Sequence, residues 1–383
     1  MFDGVETRHD KDQTMQICVP EFIRAIDPYV PGKPLEELER EYGLKQAVKL
    51  ASNENPLGPS PKALDAMQKA LFKLHRYPDG SAYYLTQALA RHLGVTPDCL
   101  VLGNGSDDVI AMAVRAFMRM GDRAVMPHPA FLMYDILVKT AGGVAVPVPL
   151  RNMDLDLDSM VSAVDGETRL VFVTNPNNPT GRFIAEEKLC AFLDAIPSSV
   201  LVMLDEAYVE FVKKENYHSG ISLLDRYPNL IVLRTFSKAY GLAGIRVGYG
   251  VMAPEVAGWL HRVRQPFNVN ILAQVGACAA LEDVAFLEKT REVVAEGKAW
   301  FQERLAAMGL TAHPSEANFF LVDVRREGRK VFDAMLRKGV IVRSMHGYGF
   351  PRCIRITVGL REENEKCLAA LDAVLGDIPE DEG

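Results

Sequence analysis

The sequence has no uncharged apolar run of 18 residues, so no membrane-spanning helix is expected. Its six cysteines, Cys18, Cys99, Cys190, Cys278, Cys353 and Cys367, are widely scattered with no C-x-x-C pair. That spacing suits neither a zinc cage nor a disulfide framework and points to reduced thiols. The first 20 residues are polar and carry no apolar signal core, from which a cytoplasmic protein is expected. With a net charge of −7 and no basic stripe, the chain lacks the footprint of a nucleic-acid binder. No G-x-G-x-x-G follows an early strand with an acidic residue about 20 positions on, which removes a nicotinamide dehydrogenase. Internal repeats and low-complexity segments are also missing.

What is present is an ordinary globular composition, 48% hydrophobic and 24% charged, in 383 residues, enough for two domains. Between about residue 60 and 250, helical patterns alternate with short apolar runs, the mark of a βαβ domain. Strands are expected at 99–103, 123–126, 143–148, 170–174, 200–204 and 230–234, with 246–251 as an antiparallel or edge strand. Several are continuous apolar runs, as in a sheet covered on both faces. Pro266 marks a boundary. Beyond it, 270–308 reads as long helices, followed by strands at 318–322, 340–343 and 353–358 and helices at 329–338 and 362–375. Pro20, Pro28, Pro31 and Pro34 keep the N-terminal arm from forming one helix. The expected division is an arm over 1–50 that belongs with the smaller domain, a large domain over 51–268, and a smaller α+β domain over 269–383.

The chemistry concentrates in Thr235-Phe236-Ser237-Lys238-Ala239-Tyr240-Gly241, with Arg246 eight residues after the lysine. A lysine that forms a Schiff base needs a fixed loop, a nearby phosphate anchor and an electron sink within reach. In an open parallel sheet, ligands bind beyond the carboxyl ends of the strands. Gly103-Asn104-Gly105-Ser106-Asp107 follows one expected strand and opens a helix at 108–119 whose free N–H groups attract phosphate. Asn178, in Asn177-Asn178-Pro179-Thr180-Gly181, follows a second strand. Asp205 follows a third and Lys238 a fourth. Each has a plain structural reading alone, as a cap, a turn or a strand end. Their convergence on one sheet edge is what points to a site.

These motifs, with Lys49-Leu50-Ala51-Ser52-Asn53-Glu54-Asn55-Pro56, Arg76-Tyr77-Pro78-Asp79 and Arg355-Ile356-Thr357-Val358-Gly359, cover nearly the whole chain beyond the first 20 residues. Together they resemble the fold-type I pyridoxal-phosphate-dependent aminotransferases, and within them the histidinol-phosphate aminotransferase family. The resemblance implies an α/β fold with a mainly parallel central sheet and a smaller second domain. It implies that Lys238 carries pyridoxal 5′-phosphate and serves as general base and acid, and that Asp205 pairs with the ring nitrogen. Asn178 and Tyr208 would bond the ring's 3′ oxygen, and Phe131 would stack on the ring face. Ser106 and Asp107 would hold the phosphate with Thr235, Ser237 and Arg246. Tyr77 would reach the cofactor phosphate of a neighbouring subunit, which implies a homodimer.

For substrate, the resemblance implies glutamate/2-oxoglutarate and imidazole-acetol phosphate/histidinol phosphate, in histidine biosynthesis. Tyr29, Arg343 and Arg355 would meet the anionic group. The aromatic residues within 344–352 leave aromatic amino acids open as alternative substrates. A decarboxylase of a phosphorylated amino acid and a non-catalytic cofactor binder also share the fold. An intact Lys238, Asp205 and Arg246 argue against the last, since binding alone needs no base. No metal is expected.

Overall fold

The computed structural model describes residues 17–29 and 32–380. The start of the N-terminal arm (1–16), Val30 and Pro31 beside Tyr29, and the last residues of the C-terminal region (381–383) lie outside the described residues. Helices Glu21–Arg24 and Leu35–Tyr42 lead into β1 (Val48–Lys49). There the arm packs on the C-terminal part of the chain, Leu38 joining Leu336 and Ile341 in one apolar cluster.

The large sheet contains β2 (Leu100–Gly103), β3 (Arg123–His128), β4 (Val144–Pro149), β5 (Thr168–Thr174), β6 (Leu201–Asp205), β7 (Leu230–Thr235) and β8 (Gly248–Met252). Their spatial order is β2-β8-β7-β6-β5-β3-β4. All run parallel except β8, which is antiparallel to both its neighbours. β8, expected as an antiparallel or edge strand, is antiparallel but lies in the interior of the sheet. β2 and β4 form the edges.

Side chains alternate across a strand, and here both faces are apolar because both are covered. Leu170 and Phe172 of β5 pack with Ile110 and Met112 of helix Ser106–Phe117 and Leu260 of helix Pro254–Val263. Val171 and Val173, between and beside them, pack with Leu189, Phe192 and Leu193 of helix Glu186–Ala195 on the opposite face. Near the β2 edge, helix Ile271–Leu281 lays Ala273, Ala277 and Ala280 against Leu100, Leu102, Tyr249 and Val251. This helix, counted by the sequence reading with the region 269–383, thus shares its core with the large sheet. Its alanine face permits the close approach.

The 24-residue helix Val284–Ala307 runs from one core to the other. Val294 packs with Tyr208 and Phe319, while Phe301 and Leu305 enter the C-terminal core. That core is built on β9 (Thr311–Ala312), β10 (Phe319–Asp323), β12 (Arg343–Ser344) and β13 (Cys353–Thr357), an antiparallel sheet of order β12-β13-β10-β9. Between β10 and β12, β11 (Val340–Ile341) pairs in parallel with β1. Helices Gly328–Arg337 and Arg361–Asp377 belong to the same region. The run 340–343, expected as one strand, is divided between two sheets, so that Arg343 turns from the β1 pairing to β13.

Candidate active site

One cavity of about 310 Å3 opens at the carboxyl edge of the large sheet. The parallel strands β2, β5, β6 and β7 bring Ser106 and Asp107, Asn178, Asp205 and Lys238 to it from their carboxyl ends. Because β8 runs the other way, its amino end returns to the same edge and delivers Arg246.

Asp205, the last residue of β6, is 5% exposed. Its Oδ1 accepts from the Ala207 N–H at 3.0 Å, and its Oδ2 accepts from the Tyr134 hydroxyl at 2.6 Å. Burial raises its pKa, and these two donors oppose that rise. Across the parallel pairing from Asp205 lies Thr174, whose buried Oγ1 has no hydrogen-bond partner among the described residues. Thr174 also lines the cavity.

Lys238 donates from Nζ to the Ser52 carbonyl at 3.2 Å and sits 5.9 Å from the centre of the Tyr208 ring. Desolvation, reinforced by the positive charges of Arg355 and Arg246, lowers its pKa to about 8. A lysine so placed offers a far larger share of neutral, nucleophilic amine near neutral pH than an exposed lysine does. The Tyr208 hydroxyl accepts from Asn53 Nδ2 at 2.9 Å, leaving its own proton to donate. Burial pushes the Tyr208 pKa up to about 12, so it keeps that proton.

Helix Ser106–Phe117 starts at the cavity and is reached through Gly105 at φ 95°. A Cβ on Gly105 would overlap the Asp107 carboxylate and the Arg246 guanidinium, so only glycine leaves this space open. Arg246 is itself left-handed at φ 57°. Its guanidinium donates to Ser237 Oγ at 3.3 Å, the Ala243 carbonyl at 3.3 Å and Asp107 Oδ1 at 3.0 Å. Thr235 Oγ1 accepts from the Ser237 N–H at 3.1 Å and shapes the same turn. A glycine-opened helix start with a cation beside it suits a phosphate dianion. An acid–lysine pair and an orphaned hydroxyl deeper in the cavity suit the ring of pyridoxal phosphate. The residues fit that cofactor.

At the other end stand Arg355, Arg343, Tyr29 and Tyr348. Arg355 is 7% exposed, and its pKa is lowered by burial and by Arg343. It donates to the Ala51 carbonyl at 2.7 Å and to Asn178 Oδ1, and it covers the Phe319 ring. Its Nε has no partner among the described residues.

Every residue singled out from the sequence therefore lines this cavity, except Tyr77. Tyr77 is 81% exposed and stacks on Phe267 at 4.7 Å; Leu71, Phe72, Leu74, Tyr83 and Tyr84, near it in the sequence, are exposed as well. Sequence reasoning assigned no role to Tyr134, Thr174 or the Asn53–Tyr208 contact. The Asn53-Glu54-Asn55-Pro56 element did signal Asn53. Tyr134 and Thr174 carry no local signal, because each reads as core until the sheet is assembled.

The chain matches the family Aminotransferase class I and II over residues 45–371. It is 47% identical to the histidinol-phosphate aminotransferase of Desulfotalea psychrophila over 371 residues, 96% of this chain and 98% of that one. It is 49% identical to the histidinol-phosphate aminotransferase of Anaeromyxobacter sp. (strain Fw109-5) over 360 residues, 94% and 99% of the two chains. It is also similar to the crystal structure of histidinol-phosphate aminotransferase from Sinorhizobium meliloti in complex with pyridoxal-5′-phosphate. That likeness has a TM-score of 0.87 and 33% identity, covering 94% of this chain and 98% of the other. With the family matched over residues 45–371 and relatives this similar over nearly their whole length, the chain belongs to the class I and II aminotransferases.

Proposed function

We propose that the chain is a pyridoxal-phosphate-dependent histidinol-phosphate transaminase of histidine biosynthesis, using glutamate/2-oxoglutarate as the second substrate pair. The observation that carries the choice of substrate is the pair Arg343 and Arg355. Both line the cavity, and among the described residues neither guanidinium has an ion-pair partner. Arg355 can serve an α-carboxylate or a phosphate alike, so Arg343 is the cation that a phosphate would engage and the neutral ring of an aromatic amino acid would leave unused.

When bound, pyridoxal phosphate supplies an electron-withdrawing ring that takes up the charge left when the substrate's Cα–H bond breaks. Lys238 Nζ would accept that proton and hold it for return at the far end of a 1,3-shift, since its lowered pKa makes the free amine available as a base. Asp205 holds the ring-nitrogen proton through its charge. Tyr208, kept protonated and held by Asn53, donates to the ring oxygen together with Asn178. Ser106, Asp107, Thr235, Ser237 and Arg246 hold the phosphate, with Phe131 against the ring face. Arg355 and Arg343 orient the substrate's anion, with Tyr29 beside them.

The large exposed apolar side chains at and near Tyr77 in the sequence support a homodimer, in which Tyr77 completes the neighbouring subunit's cavity. We take the chain as an N-terminal arm allied to a smaller C-terminal domain, around a large cofactor-binding domain. No described helix is long and apolar enough to cross a membrane, and we place the enzyme in the cytoplasm.

The test is a substrate panel, comparing kcat/KM for imidazole-acetol phosphate, phenylpyruvate and 4-hydroxyphenylpyruvate with glutamate as donor. Preference for the phosphorylated keto compound is expected. Better use of the aromatic keto acids would replace this reading with an aromatic-amino-acid aminotransferase.

A further inference from the structure

Tyr134 is fully buried under the cavity floor, stacked on Phe172 at 4.6 Å with the rings 11° apart. It also meets Phe131 edge to face, with ring centres 5.6 Å apart. A phenylalanine would fill this apolar slot without desolvating a hydroxyl. The hydroxyl instead makes a 2.6 Å bond to Asp205 Oδ2. We propose that Tyr134 is a positioning residue for Asp205, its hydroxyl holding the carboxylate charged and turned to the cavity so that the cofactor's ring nitrogen keeps its proton.

The physical reasoning is a balance of opposed effects. Burial and the neighbouring Glu206 both favour a neutral Asp205, while the Tyr134 hydroxyl, the Ala207 N–H and Lys238 favour the carboxylate. Tyr134 is raised well above the usual phenol range by burial and by Asp205, so it acts as a fixed donor and never as a competing acid. The packed rings of Phe172 and Phe131 prevent it from swinging away. Remove the hydroxyl and Asp205 becomes a stronger base. The proton shared with the ring nitrogen then moves toward the carboxylate, and the ring withdraws electrons less well.

This inference rests on the proposed cofactor chemistry but not on the identity of the substrate. The experiment therefore needs no substrate: holoenzyme is reconstituted with cofactor labelled with nitrogen-15 in the ring, and the ring-nitrogen resonance is read by NMR. Wild type is expected to show the protonated signal, and Tyr134→Phe a displacement toward the unprotonated one. In parallel, kcat should fall about 10-fold or more, the loss of one hydrogen bond to a charged group, with KM little changed. A resonance that stays at the wild-type position in Tyr134→Phe overturns the proposal, whatever the activity. Tyr134→3-fluorotyrosine keeps the donor and the shape. It should retain the protonated signal and wild-type turnover, and a displacement equal to that of Tyr134→Phe would also overturn the proposal. Failure on the substrate panel with the expected resonance change would leave Tyr134 in place and remove only the substrate assignment.

Discussion

Arg343 and Arg355 stand directly opposite each other on the antiparallel strands β12 and β13. Like charges in such a pair repel, so the arrangement is unfavourable until an anion lies between or above them. Arg343→Ala should therefore lower kcat/KM for imidazole-acetol phosphate by about 10- to 150-fold, the usual loss for one charged hydrogen-bonding partner. Glutamate should suffer less, because Arg355 remains for its α-carboxylate. Arg355→Ala should impair both half-reactions. Steady-state kinetics with each substrate separates these outcomes, and equal losses for both substrates in Arg343→Ala would contradict the division of labour.

The depressed Lys238 pKa, about 8, fixes the sign of a stability effect in the apoprotein. Between pH 8 and the ordinary lysine value of 10.5, the unfolded chain holds a proton that the folded chain has lost. Stability should then rise with pH through this window, and the unfavourable contribution should be complete below it. Lys298, also lowered to about 8 by burial, acts in the same direction. Denaturant unfolding of the apoprotein and of Lys238→Met at pH 7.5, 8.5 and 9.5 isolates the active-site lysine. The variant should show the shallower slope.

Asp205→Asn should keep the fold and much of the cofactor affinity, yet lose most transamination, because an amide cannot hold the ring proton by charge. Each tenfold loss corresponds to about 1.4 kcal/mol of barrier. Turnover within threefold of wild type would remove Asp205 from the mechanism.

Gly105→Ala places a methyl group where the Asp107 carboxylate and Arg246 guanidinium now meet, on a backbone at φ 95°. Its main effect should be on cofactor affinity, measured by titrating the apoprotein and following absorbance. Wild-type affinity would show that the cradle does not depend on this approach.

Tyr77 should act across subunits. Tyr77→Phe should weaken cofactor binding, and mixing Tyr77→Phe with Lys238→Ala should recover part of the lost activity, since hybrid dimers hold one site free of both changes. Full activity in a monomeric preparation would refute a shared site.

The sheet was legible because β5, β6 and β7 are short apolar runs whose neighbours on both faces are helices, and such strands announce themselves by composition alone. The residues at their carboxyl ends were legible for a related reason. Polar groups at the end of an apolar run, repeated on several strands, must converge wherever parallel strands end together. Place in the sheet was less accessible. The sequence left β8 as an antiparallel or an edge strand, and its insertion between β2 and β7 depends on backbone hydrogen bonds that no local pattern specifies. Helix Ile271–Leu281 read as part of the later region because chain order follows it there. Its alanine face joins the earlier core instead.

By itself the sequence marked which groups reach the cavity: Lys238 in its glycine-spaced loop, Asp205 at a strand end, and Ser106 at a helix start behind Gly105. Each depends on chain geometry within a few residues, and local geometry is written locally. Tertiary structure alone decided that Arg343 opposes Arg355, that Tyr134 holds Asp205, and that Lys238 is a weak base. These properties arise from register, burial and the summed fields of residues far apart in the chain. No local pattern encodes them, because a contact or a desolvation exists only once both sides of it have been folded into place.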